Sequence, residues 1–338
     1  MTVPKEISRR ISITRYFLVI GIVVLHTPPL TPLNQLDGSA FEWFRAFLTH
    51  GVFRALIPVL TSISGYLMFA SGLHLSPAKL IRKKTASILV PLVLWNLPLA
   101  VVLYVVQRYG WMSYDFRASL HPVTLHAWVD AVVGLDDYPV NYPLNFLRDL
   151  FVLALLSPLF WQLLKRAPYI GLGVVFTVFL FNLDGPVVLF DAMMVTFYVG
   201  ALAATQRWDL TRLDRYAVAL LLLFVLICFT SIAFGIPNKK FLRLLTLPLV
   251  WPAMSLLVDT RFGDLLLRNA KHSFFTFLSH SVVLLASWLV YRRLPSGSLP
   301  YPLFWLIAPA STVVLGVVLD RQFKRWTPRL AAIMLGNR

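Results

Sequence analysis

Long apolar runs divide this chain into segments of about the length of a membrane crossing. Ala217–Ala233 is one such run, and residues 274–290 form another with a few polar interruptions. About 20 apolar residues in a helix cross the roughly 30 Å hydrocarbon layer of a bilayer. Every backbone N–H and C=O inside that layer must be paired within the protein, which a helix achieves with its own backbone. The sequence therefore predicts an all-α, polytopic integral membrane protein.

Ten membrane helices are predicted, in a single membrane domain that comprises residues 1–338, with tails at 1–12 and 321–338. The predicted spans are about 13–31, 51–73, 85–106, 144–164, 168–182, 187–205, 215–235, 240–258, 273–292 and 301–320. The apolar run at 17–25 follows a basic start and precedes His-Thr-Pro-Pro, with no small-residue cleavage site. We therefore expect a retained signal anchor at the N-terminus.

The distribution of charge predicts the orientation of the helices. Hydrophobic residues make up 58% of the chain and charged residues only 14%, where a soluble domain has about a quarter. The net charge is +16, but the cations lie in short loops, which argues against a nucleic-acid partner. With the N-terminus inside, 20 of the 31 Lys and Arg residues fall on the cytoplasmic side and 7 on the other. Both termini are predicted to be cytoplasmic.

The first predicted span contains two ionisable residues, Arg15 and His26, eleven positions apart. Eleven residues are three helical turns plus about 20°, so both side chains lie on one face, about 16 Å apart along the axis. Ionisable groups inside a membrane are costly and are functional candidates. A long thin ligand suits this geometry, with an anionic head at Arg15 and a reactive end at His26. Taken singly, Arg15 is also typical of a snorkelling anchor.

Other ionisable residues in or near the predicted spans are weaker candidates. Arg148 and Asp149 begin the fourth span, and adjacent helical residues point about 100° apart, so we expect them not to pair face to face. The remaining candidates are Arg54, Arg243, His280, Asp191 and Asn96, the last two as hydrogen-bonding contacts between helices. Ser64 and Gly65 are expected to permit close helix packing. The seven histidines lack the paired spacing of metal ligands, and no metal is predicted.

Several motifs, taken in order, resemble the membrane acyltransferase-3 family. The first is Arg-x10-His, here Arg15 to His26. The others are Ser64-Gly65-Tyr66-Leu67, Lys83-Lys84-Thr85 with Leu89-Val90-Pro91 and Trp95-Asn96, Asn145-Phe146-Leu147-Arg148-Asp149 with Ser157-Pro158, and Ser273-Phe274-Phe275 with His280. They extend over about residues 10–320, and the chain looks most like the exopolysaccharide branch, the succinoglycan-type succinyltransferases. One departure is that the family's Arg-x-x-Arg pair falls at about Lys84 and Ser87.

The resemblance implies a bacterial inner-membrane enzyme that transfers succinyl, or else acetyl, from acyl-CoA to a sugar hydroxyl of an exopolysaccharide or its lipid-linked precursor. No tightly bound cofactor is expected; the expected partners are the bilayer, the saccharide and polysaccharide assembly proteins. His26 is then the base or the nucleophile, and Arg148 stabilises an oxyanion or binds the succinyl carboxylate. Arg82, Lys83 and Lys84 join Arg15 around the coenzyme phosphates, and Asp149 and His280 are further substrate-binding candidates. The alternatives are a flippase for lipid-linked saccharides and a non-catalytic membrane subunit.

Overall fold

The computed structural model describes residues 3–111, 118–190, 192–236, 240–295 and 297–336, and these residues form helices and loops without a strand. The α-helices are α1 (Lys5–Leu25), α2 (Ala40–Ala46), α3 (Phe53–Ala55), α4 (Ile57–Ala70), α5 (Pro77–Lys84), α6 (Val90–Arg108), α7 (Leu125–Val133), α8 (Asn145–Arg166), α9 (Pro168–Phe181), α10 (Met193–Thr205), α11 (Ala217–Ala233), α12 (Lys240–Ala253), α13 (Ser255–Val258), α14 (Arg261–Asn269), α15 (Ser273–Tyr291), α16 (Tyr301–Trp326) and α17 (Pro328–Met334). π-Helical turns at Phe47–Val52 and Thr85–Leu89 interrupt the α-helical stretches, and short 3-10 turns lie at Leu33–Gln35, Leu73–Leu75, Tyr142–Leu144, Gly185–Val187, Asp214–Tyr216 and Ala270–His272. The all-α prediction is confirmed.

Within the described residues, seven continuous helical stretches are long and apolar enough to cross a bilayer. They are Ala40–Ala70, Pro77–Arg108, Tyr142–Arg166, Asp214–Ala233, Lys240–Val258, Arg261–Tyr291 and Tyr301–Trp326. Helices α9 and α10 are apolar but shorter, and α1 carries Arg9, Arg10 and Arg15 and is not among the seven. The polytopic helical fold is confirmed, while the number of ten spans and the cytoplasmic termini stay predictions.

Helix α11 illustrates how these helices present apolar side chains outwards. Val218, Leu222, Leu226 and Phe229 follow one another at intervals of three or four residues, and between 57% and 64% of each is exposed. Residues at this spacing share one face of a helix. A large contiguous apolar face is not stable in water, but lipid solvates it well. The exposed face of α11 is therefore a lipid-facing surface.

The chain forms two compact units, each made of two segments of sequence. Unit 1 comprises Met1–Ser71 and Thr196–Gln322, and unit 2 comprises Gly72–Val195 and Phe323–Arg338. Helices α10 and α16 each begin in one unit and end in the other. The single domain predicted over residues 1–338 stays a prediction.

Glycines bring α4 and α10 into close contact inside unit 1. A Cβ atom added at Gly65 would collide with the backbone oxygen of Phe197, and one added at Gly200 would collide with that of Ser62. Small residues at a helix interface allow two backbones to approach, which is a frequent device in membrane bundles. The predicted role of Gly65 in close helix packing is confirmed.

Arginines fasten the beginning of α1 to other parts of unit 1. The Arg10 guanidinium donates to both carboxylate oxygens of Asp214, at 2.9 and 3.0 Å, and lies over the ring of Trp251, 4.3 Å from its centroid. Arg9 donates to Asp264 at 2.8 Å. A bidentate arginine–carboxylate pair fixes orientation as well as distance. These contacts hold α1 in place one to two turns before Arg15.

Unit 2 contains a polar contact that the sequence predicts at Asn96. The side-chain oxygen of Asn96 accepts a hydrogen bond from the backbone N–H of Asn141 at 2.9 Å, and its amide donates to Leu92 within α6 at 2.8 Å. Asn96 is fully buried, so these bonds satisfy a polar group that would otherwise be costly. Asn96 thus connects α6 to the segment that leads into α8. Asp191, the other residue predicted for such a contact, lies outside the described residues.

Candidate functional site

His26 lies at the end of α1, where the helix stops. Its backbone N–H still donates to the Ile22 carbonyl at 3.1 Å, and the helix is continuous from Lys5 to Leu25. Arg15 and His26 therefore share one face of a regular helix, as their spacing predicts. Between them, Val19 and Ile22 occupy the same face and are buried. The two ionisable residues are thus separated by an apolar strip of helix surface.

The His26 ring lies next to the ring of His280, which comes from α15. The ring centroids are 5.2 Å apart, and the Nδ1 atom of His26 is 3.3 Å from the Nε2 atom of His280. Nδ1 of His26 is also 2.9 Å from the Ile22 carbonyl oxygen. On the far side, Nδ1 of His280 is 2.6 Å from the carbonyl oxygen of Phe277. Both histidines belong to unit 1.

These contacts assign the proton on each ring, because a carbonyl oxygen only accepts hydrogen bonds. Nδ1 of His280 must donate to Phe277, so its Nε2 is an acceptor. Nδ1 of His26 must likewise be protonated, and its N–H is shared between Ile22 and Nε2 of His280. In neutral His26, Nε2 is then the basic nitrogen. A hydrogen bond at one ring nitrogen commonly fixes the tautomer needed at the other.

Arg15 and Arg54 belong to the same unit as the histidine pair. Arg54 lies in α3 directly after the π-helical turn Phe47–Val52 and is half-buried. Arg15 is half-buried on α1 and, among the described residues, its side chain makes no hydrogen bond or ion pair. A partly buried cation without a protein partner is suited to an anionic ligand. The fold thus gathers Arg15, His26, Arg54 and His280 in unit 1.

The segment that follows His26 is held by residues that the sequence reasoning overlooked. Arg45, buried and paired with Glu42 at 2.5 Å, donates to the Pro29 carbonyl at 2.7 Å. Nε2 of His50 lies 2.9 Å from the Thr31 carbonyl. These contacts fix the chain where it leaves α1 and so limit the movement of the His26 ring. Arg45 and Glu42 are an Arg and a Glu three residues apart in a helix, a spacing that indicates an ion pair.

Arg148 has a different environment from the one predicted. Its five N–H donors all bind the protein: they reach the carbonyl oxygens of Gly134, Leu135, Pro186 and Val187 and the carboxylate of Asp149, at 2.5 to 3.2 Å. A guanidinium has five N–H groups in all. Arg148 therefore joins two loops of unit 2 to α8. Its predicted catalytic role stays a prediction, without support from these contacts.

The expectation that Arg148 and Asp149 do not pair is wrong. Nη1 of Arg148 lies 2.9 Å from Oδ1 of Asp149. Asp149 is fully buried and also accepts the backbone N–H groups of Leu189 and Phe190, at 3.1 and 2.8 Å. A long arginine side chain curls towards its neighbour, so the 100° between their Cβ directions does not separate the charged groups. Asp149 is bound by protein groups, and its role with substrate stays a prediction.

The remaining predicted cations lie in unit 2 or on α12. Arg82 and Lys83 are exposed on the last turn of α5, and Lys84 is half-buried. Because these residues belong to unit 2 and Arg15 to unit 1, their joint binding of phosphates stays a prediction. Arg243 lies half-buried on α12. No three His, Cys, Asp or Glu side chains come together as a metal site in the part of the chain that the structure describes.

A buried contact between a histidine and an aspartate was not predicted from the sequence. Nδ1 of His272 lies 2.6 Å from Oδ2 of Asp320, and Nε of Arg321 is 3.5 Å from Nε2 of His272. His272 and Asp320 are both buried, so the contact ties the start of α15 to α16. Asp320, an acid at the end of an apolar run, is the signal that could have revealed this pair, because such a residue is costly without a partner.

Comparison with known proteins identifies the class of this molecule. Its helices and lipid-facing surface make it a multi-pass membrane protein, and an acyltransferase domain model matches residues 9–321. The chain belongs to the acyltransferase-3 family. In an alignment of 347 positions it is 31% identical to the succinoglycan biosynthesis protein ExoH of Rhizobium meliloti (strain 1021). The alignment covers 98% of this chain and 93% of the relative. No solved structure matches the chain. The predicted family resemblance is confirmed.

Proposed function

We propose that this protein transfers an acyl group from an acyl-CoA to a hydroxyl group of an exopolysaccharide or its lipid-linked precursor. Succinyl is the favoured acyl group and acetyl the next. The similarity to a succinoglycan biosynthesis protein supports the saccharide acceptor. The observation that carries the proposal is the histidine pair, in which Nδ1 of His26 is held by Ile22 and His280 and Nε2 is basic.

In the proposed reaction Nε2 of His26 accepts the proton of the sugar hydroxyl as its oxygen attacks the thioester carbon. The C–O bond forms, the C–S bond breaks, and the coenzyme thiolate takes the proton from the imidazolium. While His26 is charged, its Nδ1–H donates more strongly to Nε2 of His280, since hydrogen bonds from charged donors are the stronger ones. In the alternative route Nε2 attacks the thioester first and forms an acyl-histidine. Both routes use the same nitrogen.

The donor binds along α1 in this proposal. Arg15 holds the phosphate-bearing head, and the pantetheine arm spans the distance of about 16 Å along α1 to His26. The residues between them on that face, Val19 and Ile22, are apolar, which suits the arm because the charges of the coenzyme are concentrated in its nucleotide end. The phosphate contacts expected of Arg82, Lys83 and Lys84, which belong to unit 2, stay a prediction.

Arg54 takes the role first expected of Arg148. Arg54 is a half-buried cation of the same unit as His26, and a cation beside the reacting carbonyl would stabilise the developing oxyanion. For a succinyl donor, a cation is also needed for the free carboxylate, and Arg54 and Arg243 are the candidates in this unit. In this proposal the protein acts in the bacterial inner membrane, together with polysaccharide assembly proteins and without a tightly bound cofactor.

The proposal is tested by mass spectrometry of the exopolysaccharide from cells that express variants. We expect His26→Ala and Arg15→Ala each to remove the acyl mass from the repeating unit, because one lacks the base and the other the donor site. Immunoblots of the membrane fraction serve as the control, and we expect both variants to be present at the wild-type level. An unchanged acyl mass in the His26→Ala strain would contradict the proposal. Loss of the whole polysaccharide, in place of its acyl group, would favour a flippase.

A further inference from the structure

Unit 1 contains a cavity next to Arg15 that has no part in the proposed acyl transfer at His26. Its volume is about 250 Å³, and its walls come from α1, α4, α10, α12 and the loop after α10. Ile11 of α1 is part of the wall, and residues four apart on a helix are neighbours, with Cβ atoms about 5–6 Å apart. The cavity therefore begins one turn from Arg15, on the side away from His26.

The lining of the cavity is aromatic, with a few polar groups. Trp208 and Trp251 contribute indole rings, and Asp209 contributes a carboxylate. Ser62 and Tyr66 also line it, and the hydroxyl of neither makes a hydrogen bond with another described residue. Apolar walls with a few converging polar groups are typical of small-molecule sites. The cavity is smaller than the roughly 300–1,000 Å³ of a site for a whole drug-sized ligand, so one ring system is the right size.

The walls of this cavity are fixed before a ligand arrives. The Trp251 ring is covered by Arg10, and its indole N–H donates to the Leu210 carbonyl at 2.8 Å. Asp209 accepts hydrogen bonds from the hydroxyl and the backbone N–H of Thr211. These two bonds, the one from the hydroxyl most, lower the pKa of Asp209 and keep its carboxylate charged. Trp208, in contrast, lines the cavity and is 41% exposed. A rigid wall and one accessible indole form a stacking site for a planar ring.

We propose that this cavity binds the adenine ring of the acyl-CoA donor, stacked on Trp208, with Asp209 accepting its exocyclic amino group. This inference rests on the proposed function and assigns the far end of the same substrate. A donor whose thioester is at His26 and whose phosphates are at Arg15 carries its nucleoside beyond Arg15, where the cavity begins. Purine bases stack on aromatic side chains irrespective of sequence context. Arg207 and Arg212 lie in the loop after α10, on either side of Trp208 and Asp209. Their positive charges favour a phosphate-bearing ligand over a neutral lipid chain.

The test compares two ligands that share the pantetheine arm. Binding of coenzyme A and of 4′-phosphopantetheine, which lacks the nucleoside, is measured by titration calorimetry on the full chain in lipid nanodiscs. We expect Trp208→Ala to weaken coenzyme A binding about tenfold, as for loss of one base stack, and to leave phosphopantetheine unchanged. Trp208→Phe keeps a ring and retains most of the affinity. Trp326→Ala removes an exposed tryptophan that does not line the cavity and serves as the control.

The outcomes separate this inference from the proposed function. Arg15→Ala is expected to weaken both ligands, because it removes a phosphate ligand. Suppose that Arg15→Ala weakens the binding of both ligands, whereas Trp208→Ala weakens the binding of neither ligand or of both equally. The adenine site is then wrong, and acyl-CoA remains the proposed donor. If the wild-type protein binds neither ligand, the acyl-CoA donor itself is wrong. An alkyl chain as the true occupant predicts that Trp208→Ala changes neither affinity.

Discussion

At the scale of single residues, the contact between His26 and His280 gives the site its chemistry. An isolated imidazole has two tautomers, and only the one with a bare Nε2 accepts a proton at that atom. Ile22 and His280 together hold the proton of His26 on Nδ1. His280 is thus a positioning residue that acts through His26.

His280→Ala is predicted to lower kcat for acyl transfer by about 10- to 100-fold, since a hydrogen bond to a charged group contributes about 1.5–3 kcal/mol. The KM for the donor is expected to stay within about twofold, because His280 does not bind the donor in our proposal. Steady-state kinetics on the purified variant measure both quantities. His280→Gln, which keeps an acceptor, should recover part of the rate. A rise in KM with kcat intact would instead place His280 on the substrate.

Arg148 leads to a prediction about stability. Because its five donors bind four carbonyls and Asp149, Arg148→Lys leaves several of these acceptors buried and unpaired. Breaking a buried ion pair costs about 3–5 kcal/mol, and the smaller change to lysine should still lower the melting temperature clearly. Thermal unfolding in detergent measures this. We expect succinyl and acetyl transfer to fall together; a selective loss of succinyl transfer would restore Arg148 as a carboxylate ligand.

At the scale of elements, the approach of α4 and α10 depends on glycine. Gly200→Ala places a methyl group against the Ser62 backbone, and overpacking of this kind costs typically about 1–3 kcal/mol. We expect a lower melting temperature and, because these helices line the cavity, weaker coenzyme A binding. Gly173→Ala is the matched control, since nothing lies within 4 Å of its added methyl group in α9. Equal stability of both variants would mean that the helix contact is looser than described.

The elements also show how far sequence reasoning reaches. Apolar runs predicted the helices, because membrane insertion imposes length and composition on each one separately. The face shared by Arg15 and His26 followed from helical periodicity, and Gly65 from its small size. The hydrogen bond to His280 did not follow, since it joins residues 254 positions apart through tertiary packing. The pairing of Arg148 with Asp149 was not predicted, because a long arginine side chain can curl towards a neighbour whose Cβ atom points in another direction.

At the scale of the whole molecule, the predicted site residues are distributed over the two units. Arg15, His26, Arg54 and His280 lie in unit 1, whereas Arg82, Lys83, Lys84, Arg148 and Asp149 lie in unit 2. Contiguity in sequence did not reveal this division, because each unit is built from two separate segments. The family model nevertheless spans both, from residue 9 to 321. The histidine pair and the cavity both belong to unit 1, so the proposed donor site from His26 to Trp208 lies within one unit.

The most direct test is acyl transfer by the purified protein from labelled succinyl-CoA to the repeating-unit oligosaccharide. Loss of a general base typically costs about 10²–10⁴-fold in rate. We predict that wild-type protein transfers label to the oligosaccharide and that His26→Ala is slower by a factor in that range while it still binds coenzyme A. Transfer at the same rate by His26→Ala would contradict the account.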